Sequence, residues 1–94
     1  MAIGIRFTLA GVTAEQYDSV NDRVDPVNNP PEGLLFHASG PVERGWGVID
    51  FWESRAQFDS FFGGHVAPAV QAAGLDMKAP PEVHEFPVHE YFKQ

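Results

Sequence analysis

The first segment of the chain alternates between apolar and polar positions. Apolar side chains occupy every second residue from Ile3 to Leu9, and this period of two predicts a β-strand with one buried face. After the strand, Thr13 is placed to cap a helix, and Gln16 completes a capping box. Apolar residues then recur at steps of three and four, which predicts one apolar helix stripe, formed by Ala14, Tyr17, Val20 and Val24.

Two further strands are predicted after a loop that is rich in proline and asparagine. Residues 25–33 cannot continue the helix because prolines and turn-forming residues fill the segment. Leu34–Val42 is predicted to form the second strand and Trp46–Trp52 the third, joined by a tight turn at residues 43–45. Because the third strand is apolar at odd and even positions alike, we expect it to lie in the middle of the sheet.

The next segment is predicted to contain two short helices. Ser54 caps the first of them, again with a glutamine three residues later. We expect the Gly-Gly pair at residues 63–64 to end that helix, because glycine is unfavourable in helix interiors. Pro68 is tolerated only in the first turn of a helix. A second helix is therefore expected to begin near His65 and to end at Gly74.

A proline-containing linker at residues 79–81 and a fourth strand over Glu82–Phe92 are predicted to follow. Pro87 has no backbone donor, so this strand is expected at a sheet edge or with a bulge. The order is βαββαβ, and residues 13–20 (TAEQYDSV) align with residues 54–61 (SRAQFDSF). Two similar βαβ halves are typical of the ferredoxin-like fold. We therefore predict a single α+β domain over the whole chain, 1–94, with an antiparallel sheet and its helices on one face.

The predicted third strand leaves apolar residues on the sheet face that the helices do not cover. These are Trp46, Val48 and Trp52 in one orientation of the strand, and Ile49 and Phe51 in the other. A chain of 94 residues has too little material to cover a second face, and a large exposed apolar patch marks an interface. We therefore predict a homodimer that packs sheet against sheet.

Composition excludes several classes of partner and site. The chain has 13 acidic and 6 basic residues and a net charge of −7, so we expect neither nucleic acid nor an anionic membrane as a partner. It has no cysteine, which excludes disulfides, thiolate metal sites and a thiol nucleophile. No apolar run approaches the roughly 20 residues of a membrane span, and no basic region precedes the N-terminal apolar stretch. A cytoplasmic protein is expected.

Three short segments together carry a resemblance to a known family: Trp52-Glu53-Ser54 followed by Phe58, then His65-Val66-Ala67-Pro68, and finally Glu90-Tyr91-Phe92. In this order they resemble the dimeric α/β-barrel superfamily and, within it, the antibiotic biosynthesis monooxygenase-like group. The resemblance implies a ferredoxin-like domain that dimerises sheet to sheet into an α/β barrel. It also implies a small-molecule enzyme, with cofactor-independent oxygenation of aromatic or polyketide-like phenols as the first expectation.

The sequence leaves other functions on the same fold open. One alternative is a non-catalytic dimer that binds a ligand or serves as an accessory subunit, and another is a polyketide cyclase or isomerase. The haem-degrading branch of the group is disfavoured, because Phe61 and Gln71 stand where that branch has a tryptophan and the haem-ligating histidine. Its first-strand asparagine is also absent among Gly4, Arg6 and Thr8. We expect no haem, because its obvious axial donor is missing, and no other cofactor.

His37 and Asp50 are the first candidates for catalysis. An imidazole with a pKa near 6.5 is the natural base at neutral pH. If Pro41 lies opposite Trp46, His37 lies opposite Asp50, and the carboxylate fixes the tautomer of the ring. If Val42 pairs with Trp46 instead, a one-residue slip separates the two side chains. The sequence leaves both registers open, as it leaves open a purely structural His37 within a dimer interface.

Further candidates lie on other elements. Arg6 is the expected partner of Asp50, either in a structural ion pair or as a group that stabilises an anionic ligand. His65 is expected at a helix N-terminus, where the dipole keeps an imidazole neutral and able to act as a base. His84 and His89 are expected on opposite faces of the last strand, so no metal site is predicted. The candidates for contact with a flat aromatic ligand are Trp46, Trp52 and Phe61.

Overall fold

The alternating first segment forms strand β1 within a four-stranded sheet. The structure, a computed structural model, describes residues 2–75 and 81–92. Its elements follow the order expected from the sequence. They are β1 (Ile3–Ala10), α1 (Ala14–Val24), β2 (Leu34–Val42), β3 (Gly45–Trp52), α2 (Arg55–Phe61), a π-helical turn (Phe62–Val66), α3 (Ala67–Ala72) and β4 (His84–Pro87).

The sheet has the strand order β2-β3-β1-β4, and every neighbouring pair is antiparallel. The apolar strand β3 is an inner strand, as predicted, and β1 is the other inner strand. The predicted fold class, an α+β ferredoxin-like domain with an antiparallel sheet, is confirmed. No helix in the described ranges has both the length and the apolar character that crossing a membrane requires.

The first helix begins where the capping box predicts. The side-chain oxygen of Thr13 accepts a hydrogen bond from the backbone N–H of Gln16 at 3.2 Å, and the Gln16 side chain accepts from the N–H of Thr13 at 3.0 Å. Two of the backbone donors that a helix leaves unsatisfied are thereby paired. The fixed start of α1 orients its apolar stripe inward, where Tyr17 packs half-buried against the sheet core and Val20 is buried against residues 69–70 of α3.

The predicted helix break at residues 63–64 is wrong. Both glycines lie in the π-helical turn that joins α2 to α3, and the N–H of Ala67 donates to the carbonyl of Phe62. Pro68 has no N–H, and its ring crowds the preceding turn. The wider π-helical turn is how a helix continues through that position. As a result, His65 lies inside a continuous helical segment and not at a helix N-terminus.

The last strand is shorter than predicted. Strand β4 covers His84–Pro87, whereas the sequence predicted a strand over Glu82–Phe92. One further hydrogen bond, from the N–H of Val88 to the carbonyl of Ala2 at 2.9 Å, follows Pro87. The edge position is confirmed, because β4 pairs with β1 alone. The predicted linker lies outside the described residues except at Pro81.

One face of the sheet packs against the helices and forms the core. In β1 the odd-numbered residues point to this face, and in β3 the even-numbered residues do. Ile5 and Trp52 are fully buried there, and each buried side chain of this size contributes roughly 1.5–3 kcal/mol. The buried core cluster consists of Ile5, Phe7, Leu9, Val12, Trp46, Val48, Trp52 and Phe58.

The opposite face, called the outer face below, is apolar and uncovered in the single chain. Of the two orientations left open by the sequence, the structure has the one with Ile49 and Phe51 on this face. The ring of Phe86 lies over Gly4, where any side chain would collide with it. The ring of Phe51 contacts two further aromatic rings at centroid distances of 5.1 and 5.2 Å, those of Phe36 and Tyr91.

Candidate functional site

The register of β2 against β3 places His37 beside Asp50. Pro41 pairs with Trp46, and His37 pairs with Asp50, so the first of the two open registers is the correct one. The Nδ1 atom of His37 lies 2.6 Å from an Asp50 carboxylate oxygen. Both side chains are on the face of the sheet that the helices cover.

Asp50 is a buried carboxylate with two donors around it. Its exposed fraction is 5%, and its second oxygen accepts a hydrogen bond from the indole N–H of Trp52 at 3.2 Å. The prediction that Arg6 is the partner of Asp50 is wrong. Ile5 pairs with Asp50 across β1 and β3, whereas Arg6 pairs with Ile49. Arg6 therefore lies on the outer face, since successive strand residues point to opposite sides. A buried carboxylate requires pairing, and His37 and Trp52 supply it.

Tyr17 contacts the other nitrogen of the imidazole. Its hydroxyl oxygen lies 3.0 Å from His37 Nε2. Its ring stacks on Trp46, with ring centroids 4.9 Å apart and an interplanar angle of 25°. The helix α1 and this stacked ring hold the hydroxyl in place. The result is a hydrogen-bonded chain that runs from Tyr17 through His37 to Asp50.

The chemistry of Tyr17, His37 and Asp50 determines which atom carries the proton in each hydrogen bond between them. A carboxylate only accepts hydrogen bonds, so Nδ1 of His37 carries a proton and donates it to Asp50. In the neutral imidazole, Nε2 is then an acceptor, and the Tyr17 phenol donates to it. When the imidazole is protonated, Nε2–H donates to the phenol oxygen across the same contact. Both protonation states of His37 therefore satisfy the same geometry.

Burial keeps the Tyr17 phenol protonated. Desolvation raises the pKa of Tyr17 above its ordinary value of 10.0; an interaction with the Ser39 side chain lowers it, and the charges of Asp50 and Asp18 raise it further. At neutral pH the phenol is consequently a donor. His37 itself has a side chain that is 39% exposed, so the chain of hydrogen bonds connects the interior with solvent.

This raised pKa predicts a loss of stability in alkaline solution. The folded state holds the Tyr17 proton more tightly than the unfolded state, so its contribution is complete below pH 10.0 and disappears as pH rises through the higher folded value. We expect the free energy of unfolding to fall less steeply above that pH in Tyr17→Phe than in the wild type. Denaturant unfolding at a series of alkaline pH values measures this. Tyr91→Phe, which removes the phenol of the other tyrosine, on the opposite side of the sheet, is the matched control, and equal slopes in wild type and Tyr17→Phe would contradict the prediction.

The three groups line a cavity between the helices and the sheet. Its volume is about 280 Å³, near the lower limit of ligand pockets, about 300 Å³. The walls are mostly apolar and aromatic, and they include Trp52 and Phe61. The polar side chains in the lining are Tyr17, Asn21, His37 and Asp50, and none of the described lining residues is lysine or arginine. The cavity fits a small, flat, uncharged ligand with few polar groups.

The remaining candidates lie elsewhere. His65 is exposed and lines a separate surface depression with Glu32 and Ser60. Phe61 lines both this depression and the cavity, and its ring is 5.8 Å from that of His65. Trp46 is not among the lining residues of the cavity and contacts Tyr17 instead. The structure therefore groups His37, Asp50, Trp52 and Phe61, and separates Arg6 and His65 from them.

The sequence places Tyr17 in the apolar stripe of α1, and its hydroxyl is not among the predicted site groups. One signal was present: Tyr17 is the only residue with a polar end in the apolar stripe of α1. A tyrosine directed into a core usually finds a partner for its hydroxyl. That the partner is His37 depends on the packing of α1 over β2 and β3, which the pattern alone does not specify.

Comparison with solved structures shows the same fold in several proteins. A candidate antibiotic biosynthesis monooxygenase from Caulobacter crescentus CB15 superposes with a TM-score of 0.65 at 20% identity, over 95% of this chain and 91% of that one. SnoaB, a cofactor-independent oxygenase from Streptomyces nogalater, superposes with a TM-score of 0.57 at 19% identity, over 99% of this chain and 96% of that one. A dimeric ferredoxin-like protein of unknown function from Jannaschia sp. CCS1 superposes with a TM-score of 0.57 at 15% identity, over 94% of this chain and 100% of that one.

These similarities show the fold that the resemblance implied, the ferredoxin-like fold of antibiotic biosynthesis monooxygenase-like proteins. At identities of 20% and below the similarity does not assign a reaction to this chain, since one fold supports many functions. No family model matches the chain, and no curated protein matches it.

Proposed function

We propose that this protein is a small-molecule enzyme that removes a proton from a hydroxylated aromatic compound and oxygenates the resulting anion without a cofactor. The observation that carries the proposal is the 2.6 Å contact between His37 and Asp50 in the wall of an apolar cavity. A histidine oriented by a buried carboxylate is a general base, because the carboxylate fixes the tautomer and stabilises the imidazolium. The likeness in fold to SnoaB, a cofactor-independent oxygenase, supports the oxygenation step.

The proposed reaction begins with proton transfer from the ligand hydroxyl toward His37. The electron-rich anion then gives one electron to dioxygen, and the two radicals combine to form a carbon–oxygen bond. Loss of water completes the reaction: one oxygen atom stays on the ring carbon as a carbonyl, and the other leaves with two hydrogens of the substrate. Trp52 and Phe61 form part of the wall against which the aromatic ring packs.

The lining of the cavity supports an uncharged ligand. The carboxylate of Asp50 is in the wall, and no lysine or arginine is among the described lining residues. A carboxylated or phosphorylated ligand would lose its hydration without gaining a cation. Arg6 and His65, which lie outside the cavity, have no direct contact with the ligand in this proposal.

We also propose that two copies of the chain pack through their outer faces. Ile49 is 43% and Phe86 45% exposed in the single chain, and a contiguous apolar face of this kind marks an interface. The dimeric ferredoxin-like protein from Jannaschia sp. CCS1 shares the fold. The cavity lies on the opposite side of the sheet, so dimerisation leaves it accessible.

Oxygen consumption with a panel of hydroquinones and hydroxylated polycyclic phenols tests the enzymatic proposal. Binding of each compound is first established by equilibrium dialysis. We expect oxygen uptake with at least one bound compound, and a loss of roughly 100-fold to 10,000-fold in His37→Gln, the range expected for removing a general base. His84→Gln, at an exposed position on β4, is the matched control.

The outcomes separate the functions that the fold supports. Compounds that bind without any oxygen uptake would remove the oxygenase proposal. Turnover in the absence of oxygen would instead favour a cyclase or isomerase that uses the same base. Binding with no chemistry under either condition would favour a ligand-binding or accessory dimer.

A further inference from the structure

The position of Tyr17 raises a question about how a ligand reaches the base. Both nitrogens of His37 already have protein partners, with Nδ1 2.6 Å from Asp50 and Nε2 3.0 Å from the Tyr17 hydroxyl. A general base must come within hydrogen-bond reach of the proton that it removes. In the arrangement of the structure, a ligand hydroxyl finds no free nitrogen on the imidazole.

Tyr17 is not a loosely placed side chain that a ligand would easily displace. Its ring is half-buried and stacked on Trp46 at 4.9 Å, and the capping box at Thr13 fixes the start of its helix. Displacement would break the stacking and leave the hydroxyl without its partner. Buried polar groups without partners are costly. The hydroxyl is therefore a fixed part of the cavity wall.

We propose that the Tyr17 hydroxyl is the catalytic group that meets the ligand, and that it passes the ligand's proton to His37. A phenol oxygen that donates its proton to an imidazole keeps lone pairs with which to accept a hydrogen bond. The ligand hydroxyl donates to that oxygen. This inference rests on the function proposed above and adds a residue that the His37–Asp50 pair alone does not require.

The transfer balances as a relay of two protons. The ligand O–H bond breaks and its proton forms a new O–H bond on Tyr17, while the original Tyr17 proton moves to Nε2 of His37. The products are a ligand anion and an imidazolium, which Asp50 stabilises through Nδ1–H. Tyr17 begins and ends as a neutral phenol, which agrees with a buried site where a lasting tyrosinate is unfavourable. The partly exposed His37 then returns its proton to solvent.

An absorbing phenol separates the relay from direct action of His37. The probe is 4-nitrophenol, whose ionised and neutral forms have different spectra, studied below the pH at which it ionises in water. We expect the wild type to bind it in the ionised form. In Tyr17→Phe we expect a similar dissociation constant by equilibrium dialysis, because the ring and its stacking remain, but an ionised fraction that is lower by roughly tenfold or more.

Two further variants complete the experiment. His37→Gln keeps Tyr17 but removes the proton acceptor, and we expect the same loss of ionisation. Tyr91→Phe removes the phenol on the outer face, across the sheet from the cavity, and we expect no change. Circular dichroism establishes that each variant is folded before its spectrum is compared with that of the wild type.

The relay and the proposed function fail in different ways. If Tyr17→Phe ionises the bound probe as well as or better than the wild type, His37 acts directly, and the relay is overturned while the enzymatic proposal stands. If the wild type binds the probe without ionising it, His37 does not act as a base, and both the relay and the enzymatic proposal are contradicted. If the wild type does not bind the probe at all, the ligand site is contradicted, and the relay falls with it.

Discussion

Asp50→Asn is expected to lower turnover by roughly 100-fold to 10,000-fold while the protein stays folded. The physical reason is a competition between two donors. In the wild type, the two carboxylate oxygens accept separately from His37 Nδ1–H at 2.6 Å and from Trp52 Nε1–H at 3.2 Å. An asparagine has one acceptor oxygen and one NH₂ group. If the oxygen pairs with the indole, the NH₂ faces Nδ1 and favours the imidazole tautomer that carries its proton on Nε2.

That tautomer has no lone pair on Nε2 to accept a proton from Tyr17. Nitrogen-15 NMR of the imidazole measures the change without any substrate: we expect His37 to switch from the Nδ1–H to the Nε2–H form in the variant. Asp59→Asn, at an exposed carboxylate that pairs with Arg55 at 2.9 Å, is the control and should change neither tautomer nor turnover. An Asp50→Asn variant with wild-type turnover and a changed tautomer would show that the His37–Asp50 pair has a structural role only.

The elements of the fold were predictable because each is specified by local pattern. The alternation of β1, the capping box at Thr13 and the apolar run of β3 need only period, propensity and chain order. The π-helical turn and the short β4 were not predictable in this way. The glycines at residues 63–64 are helix breakers by propensity, and that preference is overridden by tertiary packing, in which Phe62 of the π-helical turn contacts the core cluster on the sheet and Val66 contacts buried residues of α1 and α3.

The site was predictable in its residue types and not in its register. Gly45 fixes the register of the hairpin between β2 and β3. It has a φ of 150°, and a side chain there would collide with the carbonyl oxygen of Leu9. Glycine is therefore needed at the position where β3 meets both of its neighbours, and Val42 pairs with it. The Arg6 prediction identified the correct neighbouring strand and the wrong face, because the register of β1 against β3 depends on a contact between distant segments.

Ile49→Asp is expected to convert the proposed dimer into monomers. Ile49 lies on the outer face, on an inner strand, and is 43% exposed in the single chain. In a two-fold interface each substitution occurs twice, so dimerisation would bury two carboxylates that have no partner. Each such burial costs several kcal/mol, and about 1.4 kcal/mol is a factor of ten. The dimer dissociation constant should therefore rise by about a thousandfold or more.

Light scattering and sedimentation at micromolar protein concentration measure the change. We expect a dimer mass for the wild type and a monomer mass for Ile49→Asp, with the helical circular dichroism of both retained. Ala56→Asp introduces the same charge at an exposed position of α2 and should stay dimeric. The cavity lies on the other side of the sheet, so 4-nitrophenol should still bind to a folded Ile49→Asp monomer. A wild type with a monomer mass would contradict the proposed interface. It would show that the exposed rings of Phe36 and Phe86 face water without a partner.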